Sequence, residues 1–203
     1  QGIGLEMGQH TDAVDLGLVG YLVMSSRTQR EAIQHWIDYS DALVGMPMRL
    51  RLEERARDDW AFVFDESVPV GFIYNFCVEE LLVMIYKLAG DLYGTKPAMK
   101  RVELSYPAPA HHELYARYFH GPIKFNARQT RISFSAPHVD EPLRGNDPEL
   151  NELCERQCEM LAHQIGQRSP LVAKVRNILI RSRGTSPTIE VIARELNISP
   201  RTL

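Results

Sequence analysis

The chain has 203 residues, 44% of them hydrophobic, and a formal net charge of -3. That length suits one domain of ordinary size plus a fragment, not two large domains. No apolar run approaches the roughly 20 residues of a membrane helix; no signal peptide is visible, and the sequence opens on Gln1 rather than Met, which leaves open a targeting segment ahead of it.

In chain order, Gly17 to Ser26 (GLVGYLVMSS) reads as a short buried helix. Thr28 and Glu31 then have the spacing of a capping box. The helix that follows places Ile33, Trp36, Ile37, Tyr39, Ser40 and Leu43 near a 3.6 period, and Gly45 and Pro47 stop it. From Met48 the period changes to two. Met48, Leu50 and Leu52 alternate with Arg49, Arg51 and Glu53, and Trp60, Phe62 and Phe64 alternate again. This predicts antiparallel strands covered on one face. Val68 to Tyr74 reads as a further strand or an irregular lead-in. Val78 to Tyr93 is a helix apolar nearly all the way round, and therefore central.

Strands are predicted again at Arg101 to Tyr106, near Ile123 to Phe125, and at Arg131 to Phe134, with a helix over His111 to Phe119 after the rigid Pro107 and Pro109. Asp147-Pro148 opens a long helix to about Ile165, with a stripe of Leu150, Leu153, Cys154, Cys158, Leu161, Ala162 and Ile165. That 3/4 spacing suits helix pairing, and equally suits a face turned to its own domain. Gly166 to Pro170 reads as a linker. The fold class is α+β: a mixed helix and antiparallel-sheet domain over residues 1–166, then an all-helical fragment over residues 170–203.

The charge is unevenly shared. Residues 168–203 hold seven basic side chains against two acidic ones, which leaves an acidic body and a basic end. Such an end suits contact with a polyanion. Within it, TIEVIARELNISPRTL (188–203) has the arrangement of a helix-turn-helix. Ala193 is small enough for two helices to cross. Asn197 tolerates the positive φ of the turn. Ser199 caps the second helix and Pro200 suits its first turn. The DNA-contacting set read from this segment is Ser199, Pro200, Arg201 and Thr202, with Lys174 and Arg176 placed to meet phosphates. Arg201 is the best base reader, because its fork can pair with guanine.

NISPRTL resembles the turn and recognition-helix start of the AraC/XylS family of transcription regulators. The upstream text is similar to the arabinose-binding-like N-terminal domain of one branch of that family, the regulators of ornithine use. The matching pieces are GIGLEMG (2–8), DLGLVGYLVMSS (15–26), REAIQHWIDYSDAL (30–43), VELSYPAPAHHELYARYF (102–119), GPIKFNARQTRISFS (121–135) and EPLRGNDPEL (141–150). They lie in order over nearly the whole chain. The resemblance implies a homodimeric regulator that changes its contacts with promoter DNA when a small-molecule effector binds. It departs from the family at Ser105-Tyr106-Pro107, where a His-Pro or similar pair is usual, so the effector stays open. The family's DNA domain has two helix-turn-helix units and this sequence reaches only the first, so the piece is expected to bind DNA poorly by itself.

For the effector, the candidate pocket residues are the aromatics on or near the predicted elements: Trp36, Tyr74, Phe76, Tyr106, Phe125 and Phe134. Gly2, Gly4 and Gly8 do not form a dinucleotide fingerprint, since no strand precedes them. His111, His112 and His120 beside Glu113 read as surface histidines rather than metal ligands, and no metal or cofactor is expected. Cys154 and Cys158, one turn apart, read as packing thiols. Three cysteines without a framework suggest the cytoplasm. No catalytic motif stands out, and the chain does not read as an enzyme. A dimerisation domain without ligand and an enzyme of unknown type are the competing readings.

Overall fold

The computed structural model describes residues 2–56, 59–67, 69–94, 98–135, 137, 139–167, 171, 174–175, 178–179, 182 and 187–202. Its centre is a five-stranded sheet in the order β1-β2-β5-β3-β4. The strands are β1 (Met48–Ala56), β2 (Asp59–Glu66), β3 (Ala98–Glu103), β4 (Ile123–Lys124) and β5 (Thr130–Ser135). All neighbours are antiparallel except β3 and β4. The helices are α1 (Ile3–His10), α2 (Gly17–Ser25), α3 (Gln29–Tyr39), α4 (Tyr74–Tyr93), α5 (Pro148–Gln167) and α6 (Ile189–Glu195). The mixed α+β class expected from the sequence is what the structure has.

The period-two reading of β1 holds. Met48 and Leu50 are buried while Arg49 and Arg51 are exposed. In β2, however, Trp60 through Phe64 are buried on both faces, so this strand is not covered on one side only. The register explains the second face. Val63 lies between Arg51 on β1 and Arg131 on β5, and residues directly opposite share a face. The long apolar stems of these arginines can cover Val63 while their heads reach out. Those heads are pinned: Arg51 Nε donates to Asp65 at 2.6 Å, and Arg131 Nε donates to Glu103.

Local signals placed several helix ends. The Thr28 hydroxyl accepts from the Glu31 amide at 3.2 Å, as a capping box requires. Glu31 reaches back one residue further than that motif, to the Arg27 amide. After Tyr39 the helix widens into a π turn over Ser40–Val44, which Gly45 ends at φ 74°. At α5, Asp147 Oδ1 accepts from the Leu150 amide, a cap worth about 1 kcal/mol.

Tertiary packing overrode the sequence reading elsewhere. Of the two readings for Val68 to Tyr74 the irregular lead-in holds, with a 3-10 turn at Gly71–Ile73, while α4 begins at Tyr74, four residues before the predicted start. β3 runs three residues ahead of its predicted span, because Ala98 pairs with Ser135. The predicted helix over 111–119 is a 3-10 segment, His112–Arg117.

α1 lies against α4 and needs its glycines to do so. A Cβ on Gly4 would come 2.6 Å from the Phe76 carbonyl oxygen, and one on Gly8 would come 2.4 Å from that of Glu80. α5 packs on α2 through Cys154 and Cys158, both buried. Asn151 ties the two helices by donating to the Leu22 carbonyl at 3.0 Å. The predicted α5 stripe is therefore divided: the cysteines face inward, whereas Leu150, Leu153, Leu161 and Ile165 are exposed.

Candidate functional site

The inner face of the sheet, α3 and α4 do not close completely. Between them lies a cavity of about 270 Å³. α3 presents Gln29, Ala32, Ile33 and Trp36 to it, one face at helical spacing. α4 presents Ile85, Leu88, Ala89, Leu92 and the hydroxyl-bearing Tyr86 and Tyr93. The floor is Leu50, Phe62, Ile132 and Phe134. Phe62 and Phe134 touch there, with ring centroids 4.9 Å apart. Ala32 and Ala89, the smallest side chains on the two facing helices, mark where volume is missing.

No Asp, Glu, Lys, Arg or His is among the described residues that line this cavity. Its polar groups are neutral: the Gln29 amide, the Trp36 indole, Ser135 and the two tyrosine hydroxyls. Burial pushes both tyrosine hydroxyls above their usual pKa, so they stay protonated. The deep wall is buried, and the mouth opens beside the exposed Ala98 and Pro137.

Of the six aromatic candidates, Trp36 and Phe134 line this cavity, and Tyr74, Phe76, Tyr106 and Phe125 do not. Tyr74, Tyr106 and Phe125 belong to a separate aromatic cluster. Tyr74 meets Tyr106 edge-on at 6.0 Å, and Phe125 lies 5.4 Å from Tyr115. Phe76 packs half-buried against the core. Inside that cluster sits Glu79, 2% exposed. Its Oε1 accepts from the Tyr115 hydroxyl at 2.5 Å and meets His111 Nε2 at 2.7 Å. Tyr115 in turn shares a 2.9 Å hydrogen bond with Tyr106. His111 is thus a partner of a buried carboxylate, not a surface histidine. Nothing in the spacing of HHEL pointed to Glu79, 32 residues upstream.

Near the C-terminal end, the local geometry of the helix-turn-helix segment matches its sequence. Ile192 and Ala193 of α6 are buried. Asn197 has φ 54°, one of two non-glycine residues with positive φ among those described. The Ser199 hydroxyl accepts from the Thr202 amide at 3.2 Å. Ile189, at the start of α6, is 49% exposed. Ser199, Pro200, Arg201, Thr202 and Lys174 are all exposed. Arg176 lies outside the described residues.

The described residues thus hold an α+β domain with an apolar cavity, then a helix, a left-handed Asn turn and a turn capped by Ser199. The family described as the arabinose-binding domain of AraC transcription regulators, N-terminal, matches residues 1–143. The chain belongs to that family. It is 32% identical to the ornithine utilization regulator of Pseudomonas aeruginosa, over 99% of this chain and 59% of the relative. It is 30% identical to uncharacterised HTH-type transcriptional regulators of Mycobacterium bovis and Mycobacterium tuberculosis, over all of this chain and 59% of each. The chain therefore spans about three fifths of the length of these relatives. Its fold is similar to that of the transcriptional regulator CdpR of Pseudomonas aeruginosa, with a TM-score of 0.65 at 17% identity, over 98% of this chain and 65% of that one.

Proposed function

We propose that residues 1–166 are the effector-sensing and dimerising part of a cytoplasmic regulator whose C-terminal helix-turn-helix domain, starting near residue 170, binds promoter DNA. The carrying observation is the cavity of about 270 Å³ between α3, α4 and the sheet. Protein interiors are packed as densely as organic crystals, and voids beyond a water molecule are few. A space of this size, walled by two helices that could slide over the sheet, is where a small molecule can favour one arrangement over another. A ligand shifts such an equilibrium only by its differential affinity for the two states.

Pairing is assigned to the outer face of α5. Leu153, Met160 and Leu161 are 51%, 54% and 41% exposed there, at spacings that fall on one side of a helix. The homodimer places two helix-turn-helix units for two half-sites. Arg201 reads a base and Lys174 meets phosphate in this scheme; Arg176 is assigned to phosphate on its position in the sequence alone. The name of the Pseudomonas relative concerns ornithine utilization, so an amino acid belongs among the effector classes to be tested. A metabolite screen read by thermal melting tests the reading. A saturable rise in Tm that disappears in Ala89→Phe supports it. A Tm indifferent to every metabolite favours a dimerisation domain without ligand, and turnover of a hit favours an enzyme.

A further inference from the structure

Resting on the reading of this cavity as the effector site, we infer that its ligand is a neutral, hydrocarbon-rich molecule of about eleven non-hydrogen atoms, not an amino acid or another strongly charged metabolite.

The wall decides the charge. A zwitterion entering the cavity would bring a carboxylate and an ammonium, each of which needs a partner once removed from water. The described lining offers no charged side chain. Its only polar groups are an amide, an indole N–H, hydroxyls and whatever backbone atoms reach the surface. Tyr86 and Tyr93 remain neutral phenols, because burial disfavours their ionised form. Arg30, next to the lining residue Gln29 on α3, is committed elsewhere: it bonds Asp140 and Glu54 and stacks 4.7 Å over Trp60.

The volume decides the size. An apolar cavity of about 150 Å³ holds benzene, with six carbons; by proportion, 270 Å³ holds about eleven non-hydrogen atoms. The Tyr93 hydroxyl on the wall meets one hydroxyl or carbonyl on such a ligand. Ala32, Ile33, Phe62 and Phe134 enclose its hydrocarbon body. A medium-length alcohol and a substituted aromatic ring both satisfy these limits.

The test compares a neutral and an anionic ligand of one chain length, with a charged amino acid beside them. 1-Decanol, decanoate and L-ornithine are titrated into the chain below the concentrations at which the first two self-associate. Emission of Trp36, which lines the cavity, is followed against the second tryptophan, Trp60, which is buried beneath Arg30. Melting temperature is read in parallel. The expected result is a saturable change with 1-decanol, at least tenfold weaker binding of decanoate, and no change with L-ornithine. The 1-decanol response disappears in Ala89→Phe and in Leu92→Phe, two independent fillings of the same space, so that one unfolded variant does not spoil the experiment. Decanoate binding as tightly as 1-decanol, or L-ornithine giving a saturable change that Leu92→Phe removes, overturns the ligand class and leaves the sensing role standing. If 1-decanol up to its solubility limit, and decanoate and L-ornithine up to millimolar concentration, all fail to bind the chain, both the ligand class and the assignment of this cavity fall.

Discussion

The Tyr115 hydroxyl donates to Glu79 Oε1 across 2.5 Å, joining the 3-10 segment after β3 to the second turn of α4. Both residues are almost completely buried. A Cβ on Gly4 of α1 would come 3.0 Å from Oε2 of the same carboxylate, so three parts of the chain meet there. Tyr115→Phe keeps the ring and deletes the donor. It leaves Glu79 short of a partner and should cost about 1–3 kcal/mol. Urea unfolding measures this. A midpoint equal to that of the unaltered chain would mean that the hydrogen bond contributes nothing.

The exposed face of α5 makes a different prediction. Leu153→Glu with Leu161→Glu should give a monomer with a melting temperature close to that of the unaltered chain, because both side chains stand mostly in solvent. Cys158→Glu, one turn away but 0% exposed, should unfold the domain by burying a charge. Sedimentation velocity and thermal melting separate these outcomes. A doubly substituted chain that remains dimeric would place the interface elsewhere.

Acid should weaken the fold through Glu103. Its hydrogen bond from Arg131, with the nearby charges of Arg131, Arg101 and Lys124, holds its carboxyl below the usual value of 4.5. A carboxylate with a depressed folded pKa adds stability above its unfolded pKa and loses it as pH falls through the folded one. Stability should therefore decline from about pH 4.5 downward. Glu103→Gln should flatten that limb, and unfolding free energy measured across the range checks the sign.

On the proposed function, in a longer chain carrying a complete DNA-binding domain, Arg201→Ala should cost about 1–3 kcal/mol on the cognate site and relax preference at one base position. Lys174→Ala should weaken all sequences alike and lower the salt dependence of binding. Titrations of cognate and scrambled duplexes at two salt concentrations distinguish them. Binding indifferent to Arg201 on every sequence would misplace the recognition helix.

Features that depend on nearby residues were legible in the sequence. The Thr28 cap, the alternation of β1 and the positive φ of Asn197 are all set within a few positions, and each was found where expected. Features set by distant partners were not legible. β3 starts at Ala98 because β5 is there to pair with it, and the burial of His111 depends on Glu79. The cavity was the hardest to foresee. Aromatic identity drew attention to six residues, but Tyr74, Tyr106 and Phe125 close on one another and fill their own space. An empty space is made by what is small. Ala32 and Ala89 carry no chemical signal in the sequence, and only their place on the cavity wall shows that they leave room.

The central claim is that this cavity is where the regulator senses its effector, and the most direct measurement is operator affinity of the longer protein with and without an effector that acts on the unaltered form. The account predicts that Ala89→Phe and Leu92→Phe each flatten the response to effector at least tenfold. A response of unaltered size in both filled variants, with the added rings seen in the cavity by crystallography, would contradict it.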